Sequence, residues 1–194
     1  RECRRAERLI RRLCELERER APFRVQATEE PAELALGGAR LRMRLDRIDS
    51  IASGRVILDY KSGQPGTPDW YGERPTHPQL LAYLAALGAD VIALATVHVN
   101  TREVRFCGVA AAAQLLPRVK AVRSEEAGLA TAWAEQQGQW RRLIERLISA
   151  FLAGDARVDP APGACDYCHL SALCRIAEHR GGAVELALAE DADE

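Results

Sequence analysis

The chain has 194 residues, of which 47% are hydrophobic and 28% charged, and its formal net charge is −1 at pH 7. This size suffices for one compact domain with an appendage, and no run reaches the ~20 apolar residues that a membrane-spanning helix needs. The charge balance gives no uniformly basic surface, although residues 1–20 hold eight arginines against five acids. No secretory signal is visible, so we expect a cytoplasmic location. The chain opens in a helical pattern at Arg1, which indicates a truncated part of a longer polypeptide.

The hydrophobic pattern predicts an α/β core. In chain order we expect a helix over 2–20, strands over 23–29, 39–49 and 55–61, a short helix from Pro78, strands over 90–100 and 103–109, and a mainly helical stretch over 114–153. We place the core domain at 1–154, a cysteine-rich segment at 155–180, and an acidic, flexible tail at 181–194.

The second and third predicted strands have the pattern of a hairpin that is closed by residues 51–54. In that register Asp46 lies opposite Asp59, with their Cβ atoms about 4.5–5.5 Å apart. By alternation Lys61 shares a face with Asp59, so two carboxylates and one ammonium converge. Directly opposed like charges destabilise a hairpin, and a divalent cation between them would offset this cost.

Carboxylate oxygens suit Mg²⁺, which usually keeps several of its waters in a protein site. Such an ion polarises a phosphoryl oxygen and lowers the pKa of a bound water, and a nearby lysine neutralises charge that develops on phosphate. The residues therefore favour phosphodiester hydrolysis. The alternative is that both carboxylates lie on a solvated face, in surface ion pairs with Arg44 and Arg47.

Three motifs occur in order along the chain: LDRIDS around Asp46, LDYKSG around Asp59, and QLLAY from Gln79 to Tyr83. This ordered set resembles the RecB-like branch of the PD-(D/E)XK nuclease superfamily, and it is most similar to AddB-like and predicted bacterial DNA-repair nuclease domains. The resemblance implies a restriction-endonuclease-like α/β core, in which helices flank a central mixed sheet, with a Cys-rich C-terminal segment. It also implies a metal-dependent deoxyribonuclease that acts in DNA repair or recombination as part of a larger protein.

The resemblance also implies roles for individual residues. Asp46 and Asp59 would be catalytic metal ligands for Mg²⁺ or Mn²⁺, and Lys61 would be the catalytic lysine. Tyr60 would offer its backbone carbonyl to the metal. The residues that would support the site or contact DNA are Glu29, Gln79 and Tyr83.

One feature of the family has no counterpart in this sequence. The family usually carries a metal-binding His on a helix before the first strand, and no His precedes His77 here. We expect that His in the missing N-terminal part. The alternative function is a catalytically weak or inactive nuclease-fold module that binds DNA or acts as a scaffold in a helicase–nuclease complex. The expected partners are DNA and a helicase-like region of the same protein or of a partner subunit, with no membrane.

Cys165, Cys168 and Cys174 are spaced as Cys-x2-Cys-x5-Cys, which is more typical of a metal or cluster site than of a disulfide framework. In AddB-like nuclease domains this spacing binds a [4Fe–4S] cluster together with a fourth, upstream cysteine. The resemblance therefore implies such a cluster, which would be incomplete without that upstream residue. Zinc is the alternative, with His169 or an N-terminal cysteine as the fourth ligand.

Two other residues have competing interpretations. Asp49 differs in parity from Asp46, so we expect it on the opposite face or as a cap of the turn. Trp70 lies in a proline-rich loop beside the predicted site, where it either stacks on DNA or holds the loop in place. Trp133 and Trp140 are seven residues apart, a helical spacing that favours the core.

Overall fold

The computed structural model describes residues 2–63, 70–75, 77–122, 129–161, 163–166, 168–174 and 176. The chain divides into two compact units, Arg1–Ala153 and Gly154–Glu194. None of the helices in the described ranges is both long and apolar enough to cross a membrane.

The first unit begins with helix α1 (Glu2–Arg18), followed by three antiparallel strands: β1 (Arg24–Leu36), β2 (Ala39–Ile51) and β3 (Gly54–Lys61). The tight β1–β2 turn needs two residues with positive φ, and Gly37 and Gly38 supply φ values of 58° and 86°. Glycine reaches this region without the steric cost that a side chain imposes.

The chain then crosses over through helix α2 (Gln79–Leu87) and returns as β4 (Val91–Val99), which pairs with β3 in parallel. Strands β5 (Val104–Ala110) and β6 (Lys120–Ala121) complete a six-stranded mixed sheet whose spatial order follows the chain from β1 to β6. Helix α3 (Leu129–Leu152) closes the first unit. The predicted α/β core is therefore confirmed.

Helices cover both faces of the sheet, and alternation along β3 shows which residues face each layer. Ile57 packs in a core cluster with residues of α2 and α3, including Leu81 and Trp140. Leu58 packs in a second cluster with Leu16 of α1. Odd-numbered residues of β3 therefore face α2 and even-numbered residues face α1.

The structure differs from two predicted elements. The first strand extends past the predicted end at Glu29 to Leu36, through Pro31. Because β1 is an edge strand, a proline without an N–H is tolerated there. The stretch 114–153 is not mainly helical from its start: it contains turns and β6 before α3, which begins at Leu129.

The second unit contains one described helix, α4 (Ser171–Cys174). Backbone bonds from Cys168 N to Cys165 O and from Cys174 N to Leu170 O fold the cysteine-rich segment into successive turns. The acidic tail 181–194, predicted to be flexible, lies outside the described residues.

Candidate active site

The β2–β3 hairpin has the register that the sequence predicts, with Arg47 opposite Leu58 and Ile51 opposite Gly54. The ladder stops at the Arg47–Leu58 pair, so the predicted opposition of Asp46 and Asp59 is not a ladder pair. The Tyr60 backbone N–H donates instead to Asp46 Oδ2, at 2.8 Å. The Asp46 side chain thus caps the open end of the hairpin, beside Asp59.

Asp59 is a buried carboxylate at the end of β3, only 2% exposed. Lys61 Nζ lies 2.7 Å from Asp59 Oδ2. The Lys61 ammonium is therefore the charged partner of this buried oxygen. Burial raises the pKa of Asp59; Lys61 opposes that shift, whereas the charge of Asp46 adds to it. Two carboxylates and one ammonium therefore influence one another at this site.

Helix α2 holds the ammonium of Lys61. Lys61 Nζ donates to Gln79 Oε1 at 3.2 Å, and Gln79 Nε2 donates to the Tyr83 hydroxyl at 2.5 Å. That hydroxyl donates in turn to the Arg44 backbone carbonyl at 2.7 Å. Gln79 and Tyr83 are one helical turn apart, so both side chains lie on the same face of α2. The chain of contacts connects Lys61 to strand β2 through a helix.

The residues at this site suit a hard divalent cation in a partly hydrated state. Asp46 and Asp59 supply carboxylate oxygens, of which one on Asp46 accepts from the Tyr60 N–H and one on Asp59 contacts the Lys61 ammonium. Among the described residues no group of three or more His, Cys, Asp or Glu could hold a metal. Mg²⁺ is commonly bound through one or two carboxylates, with waters and substrate phosphate oxygens completing its shell. The pair therefore fits such an ion.

Glu29 lies beside Asp46 but its side chain turns elsewhere. It occupies the β1 position between the Thr28–Arg47 and Glu30–Leu45 pairs, and its φ of 52° is in the left-handed region. Its carboxylate pairs with Arg44 at 2.9 Å, and both side chains are exposed. A non-glycine residue in this region is strained, a condition found disproportionately near functional sites.

The opposite face of the hairpin carries a buried ion network. Asp49 accepts hydrogen bonds from Arg47 Nε and Nη2 at 2.7 and 3.0 Å, and from Arg20 Nη1 at 2.8 Å. Arg47 Nη1 also donates to Glu17 and to the Tyr60 hydroxyl. Burial lowers the pKa of Arg47, but these hydrogen bonds raise it above its ordinary value. Asp49 thus points away from Asp46, as expected, and binds α1 to the sheet.

Strand β4 adds polar groups that belong to none of the three sequence motifs. His98 pairs with Lys61 in the parallel ladder, and His98 Nε2 lies 3.0 Å from the Thr96 hydroxyl. Burial lowers the pKa of His98. Asn100 Nδ2 donates to the Gly63 carbonyl at 3.2 Å, so the end of β4 secures the turn that follows Lys61. In the sequence, only the alternation of residues along β4 points to these polar groups. That alternation cannot be related to Lys61 until the parallel β3–β4 pairing is known.

Trp70 does not stack on DNA from an open loop. It is 1% exposed, and its Nε1 donates to the His77 carbonyl at 3.1 Å. Trp140 Nε1 donates to the Trp70 carbonyl at 2.8 Å, and the two rings meet edge to face with centroids 6.3 Å apart. Trp133 also packs on Trp140, so the aromatic cluster belongs to the core.

The cysteine-rich segment contains one hydrogen bond to a cysteine sulfur. The Leu170 backbone N–H donates to Cys168 Sγ at 3.4 Å. Within the described ranges, Cys165, Cys168 and Cys174 form no disulfide and no three-ligand metal group.

The sequence profile of the PD-(D/E)XK nuclease superfamily matches residues 1–175. The chain belongs to this superfamily. Its members are nucleases that generally use divalent metals such as Mg²⁺ or Mn²⁺. The mixed six-stranded sheet with flanking helices is consistent with that fold.

No curated protein matches the sequence. A solved chain, described as the crystal structure of SSO0001, is similar at 19% identity with a TM-score of 0.38. The match covers 76% of the present chain and 59% of that chain.

Proposed function

We propose that this domain is a metal-dependent deoxyribonuclease whose active site is the Asp46, Asp59 and Lys61 cluster. The observation that carries the proposal is Asp59: a buried carboxylate beside a second carboxylate, with a lysine ammonium 2.7 Å away. Two like charges side by side at a partly buried site are costly unless further positive charge offsets their repulsion. A divalent cation would supply that charge.

Asp46 and Asp59 would hold the ion through side-chain oxygens, and the Tyr60 carbonyl is the third oxygen that the family pattern offers. When bound, the ion would polarise a phosphoryl oxygen and lower the pKa of nearby water. The bond from Tyr60 N–H to Asp46 fixes one oxygen of that carboxylate, which leaves the other for the ion. The Asp59 side chain is held in place because it is buried.

Lys61 would bind the scissile phosphate or orient the attacking water. Its side chain is 39% exposed, so it reaches the site from the solvent side while its ammonium contacts Asp59. Gln79 accepts a hydrogen bond from it and is itself oriented by Tyr83. A preoriented donor that faces developing charge contributes more than one that must reorganise.

We also infer the biological context from the family pattern. The LDRIDS, LDYKSG and QLLAY motifs support a RecB- or AddB-like nuclease of DNA repair or recombination, in a larger protein with a helicase-like region or partner. One observation favours the alternative, a weak or inactive nuclease-fold DNA-binding module. In the described ranges no third His, Cys, Asp or Glu joins the carboxylate pair.

The cysteine-rich segment carries a separate proposal, a [4Fe–4S] cluster, with zinc as the rival. The Leu170 N–H to Cys168 Sγ bond supports it, since amide donors stabilise a ligating thiolate. Anaerobically purified protein with a cluster would show a broad visible absorption band and bound iron. Colourless protein that contains zinc would overturn the cluster, and protein without either metal would overturn both forms.

The nuclease proposal is tested by cleavage of linear single- and double-stranded DNA in Mg²⁺ or Mn²⁺. We expect wild-type cutting that EDTA abolishes and that Lys61→Ala and Asp46→Asn each greatly reduce. Asp90→Asn is the matched control, because Asp90 is an exposed acid at the other end of the sheet that pairs with Arg55. It should cut at the wild-type rate.

Three outcomes separate the possibilities. Equal cutting by wild type and both site variants would overturn the proposal. DNA binding without cutting in either metal would favour the scaffold module. Loss of cutting in Asp90→Asn as well would indicate that a general charge or folding effect explains the site variants.

A further inference from the structure

A basic groove leads away from the turn that follows Lys61. It consists of two cavities, of about 330 Å³ and about 90 Å³, which share Arg5 and Thr101 in their linings. The larger also contains Ser62 and Gly63, the two residues directly after Lys61. We name these two cavities together the α1 groove.

The lining of the α1 groove is cationic. Arg5, Arg8 and Arg12 of α1 and Arg102 of the β4–β5 turn contribute guanidinium groups, and none of the described residues that line either cavity is acidic. Arg5, Arg8 and Arg12 are three and four residues apart, so they lie on one face of the helix. Arg8 forms no ion pair in the described part of the chain, whereas Arg5 has only Glu2, at 3.5 Å between largely exposed side chains.

Hydrogen bonds connect this groove to the catalytic strand. Asn100 Nδ2 donates to the Gly63 carbonyl, while Asn100 Oδ1 accepts from the backbone N–H of Arg102 at 3.0 Å. Arg12 Nη1 then donates to the Thr101 carbonyl at 3.1 Å, which fixes α1 against the same turn. The turn after Lys61, the β4–β5 turn and α1 therefore hold one another in place, and the groove exists before any ligand binds.

We propose that the α1 groove binds the phosphate backbone of one DNA strand next to the scissile phosphate. Guanidinium groups match phosphate oxygens in a forked geometry, and contacts of this kind position a strand without reading its sequence. The groove is too small for a duplex, and it begins where the catalytic strand ends. It deepens the proposed nuclease function, on which it rests, by adding a site for the flanking strand.

The test is DNA affinity as a function of salt, measured without divalent cation so that no cleavage is required. The probe is a fluorescent single-stranded oligonucleotide of mixed sequence. The variant Arg5→Gln/Arg8→Gln is compared with Arg4→Gln/Arg11→Gln, which changes the same number of charges on α1 outside the groove. The two pairs match: Arg5 and Arg11 each have one exposed helical ion pair, and Arg4 and Arg8 have none among the described residues.

Each phosphate contact with single-stranded DNA contributes about 0.7 to the slope of log affinity against log salt. We expect Arg5→Gln/Arg8→Gln to reduce that slope by roughly 1.4, for two contacts at about 0.7 each. The control should reduce it by less than half as much. In Mg²⁺, the groove variant should raise KM and leave kcat unchanged.

Equal slope losses in the two double variants would overturn the groove, because net charge alone would then explain binding. No salt-dependent binding by the wild type would also overturn it. If the wild type cleaves DNA but the two double variants lose equal slope, the groove proposal is wrong and the nuclease proposal stands. If binding depends on Arg5 and Arg8 but no cleavage occurs, the nuclease proposal is wrong and the groove still binds DNA. Arg8→Gln alone, which breaks no ion pair described here, repeats the test if the double variant folds poorly.

Discussion

The two faces of the β2–β3 hairpin hold buried carboxylates in opposite states. Asp49 is fully buried and accepts three hydrogen bonds, two from Arg47 and one from Arg20. Asp59 is almost as buried, yet its ion-pair partner is a single ammonium on a side chain that is 39% exposed, and a second carboxylate lies beside it. Burial therefore does not separate a structural acid from a functional one. The number of cations that compensate its charge does.

The largest expected effect comes from Asp59→Asn. Removing one carboxylate of a metal pair should lower kcat by about 10³-fold or more, since ion stabilisation of several kcal/mol converts at 1.36 kcal/mol per factor of ten. The fold should survive, because the change removes a buried charge and leaves Lys61, whose side chain is 39% exposed, in contact with water. Steady-state cleavage and thermal unfolding measure the two effects. Wild-type activity in Asp59→Asn would contradict the assignment of Asp59 as the functional acid of the pair Asp49 and Asp59.

The substitution Asp59→Asn should also change how the free energy of unfolding depends on pH. Burial raises the pKa of Asp59 in the folded protein. In EDTA, its contribution to stability is therefore full below the ordinary Asp pKa and is lost as pH rises through the raised folded pKa. Denaturant unfolding across that range should show this loss in wild type and a smaller one in Asp59→Asn. Parallel curves would contradict the burial argument.

The next effect is on stability, from Asp49→Asn. Removing one partner from a buried ion network typically costs 3–5 kcal/mol, because Arg20 and Arg47 are left without their shared carboxylate. We expect a drop of about that size in the free energy of unfolding, measured in urea, with a matching loss of the active fraction. Full stability with lost cleavage would instead assign Asp49 a chemical role and remove the contrast between the faces.

A divalent metal should stabilise the protein through the Asp59 face of the hairpin and not through the Asp49 face. A ligand at about 100 times its Kd that binds only the folded state adds roughly 2.7 kcal/mol of stability. Mg²⁺ or Mn²⁺ should therefore raise the Tm of the wild type and leave the Tm of Asp59→Asn unchanged. Lys61→Ala keeps both carboxylates and should still respond. An equal rise in wild type and Asp59→Asn would place the ion elsewhere.

The hairpin shows how far the sequence can predict the site. Alternation of apolar residues and a short turn fix a register, and a slip by one residue would expose the buried set, so the Arg47–Leu58 pairing was predictable. The detail at Asp46 was not. The ladder ends one pair early, and the Asp46 side chain takes the Tyr60 N–H. Patterns of polarity do not show where strands separate.

Partners that are distant in sequence explain the remaining gaps. Arg20 reaches Asp49 from the segment after α1, and no local pattern connects them. His98 becomes a neighbour of Lys61 only through the parallel β3–β4 pairing, which a crossover helix separates in sequence. The true end of β1, beyond Pro31, and the burial of Trp70 were missed for a related reason. Proline is compatible with an edge strand, and a loop tryptophan became core because α3 covers it.

The smallest expected effect, from Tyr60→Phe, joins the two faces. The Tyr60 backbone N–H binds Asp46 on the site side, while its hydroxyl accepts from Arg47 on the network side. Losing that hydroxyl should cost about 1 kcal/mol of stability, the usual net value of one hydrogen bond, because Arg47 Nη1 keeps its bond to Glu17. If Tyr60 serves the ion through its carbonyl, kcat at saturating DNA and the Mg²⁺-induced Tm shift should stay at wild-type values. A loss of kcat without a loss of stability would assign the hydroxyl to the reaction and make the network face part of the active site.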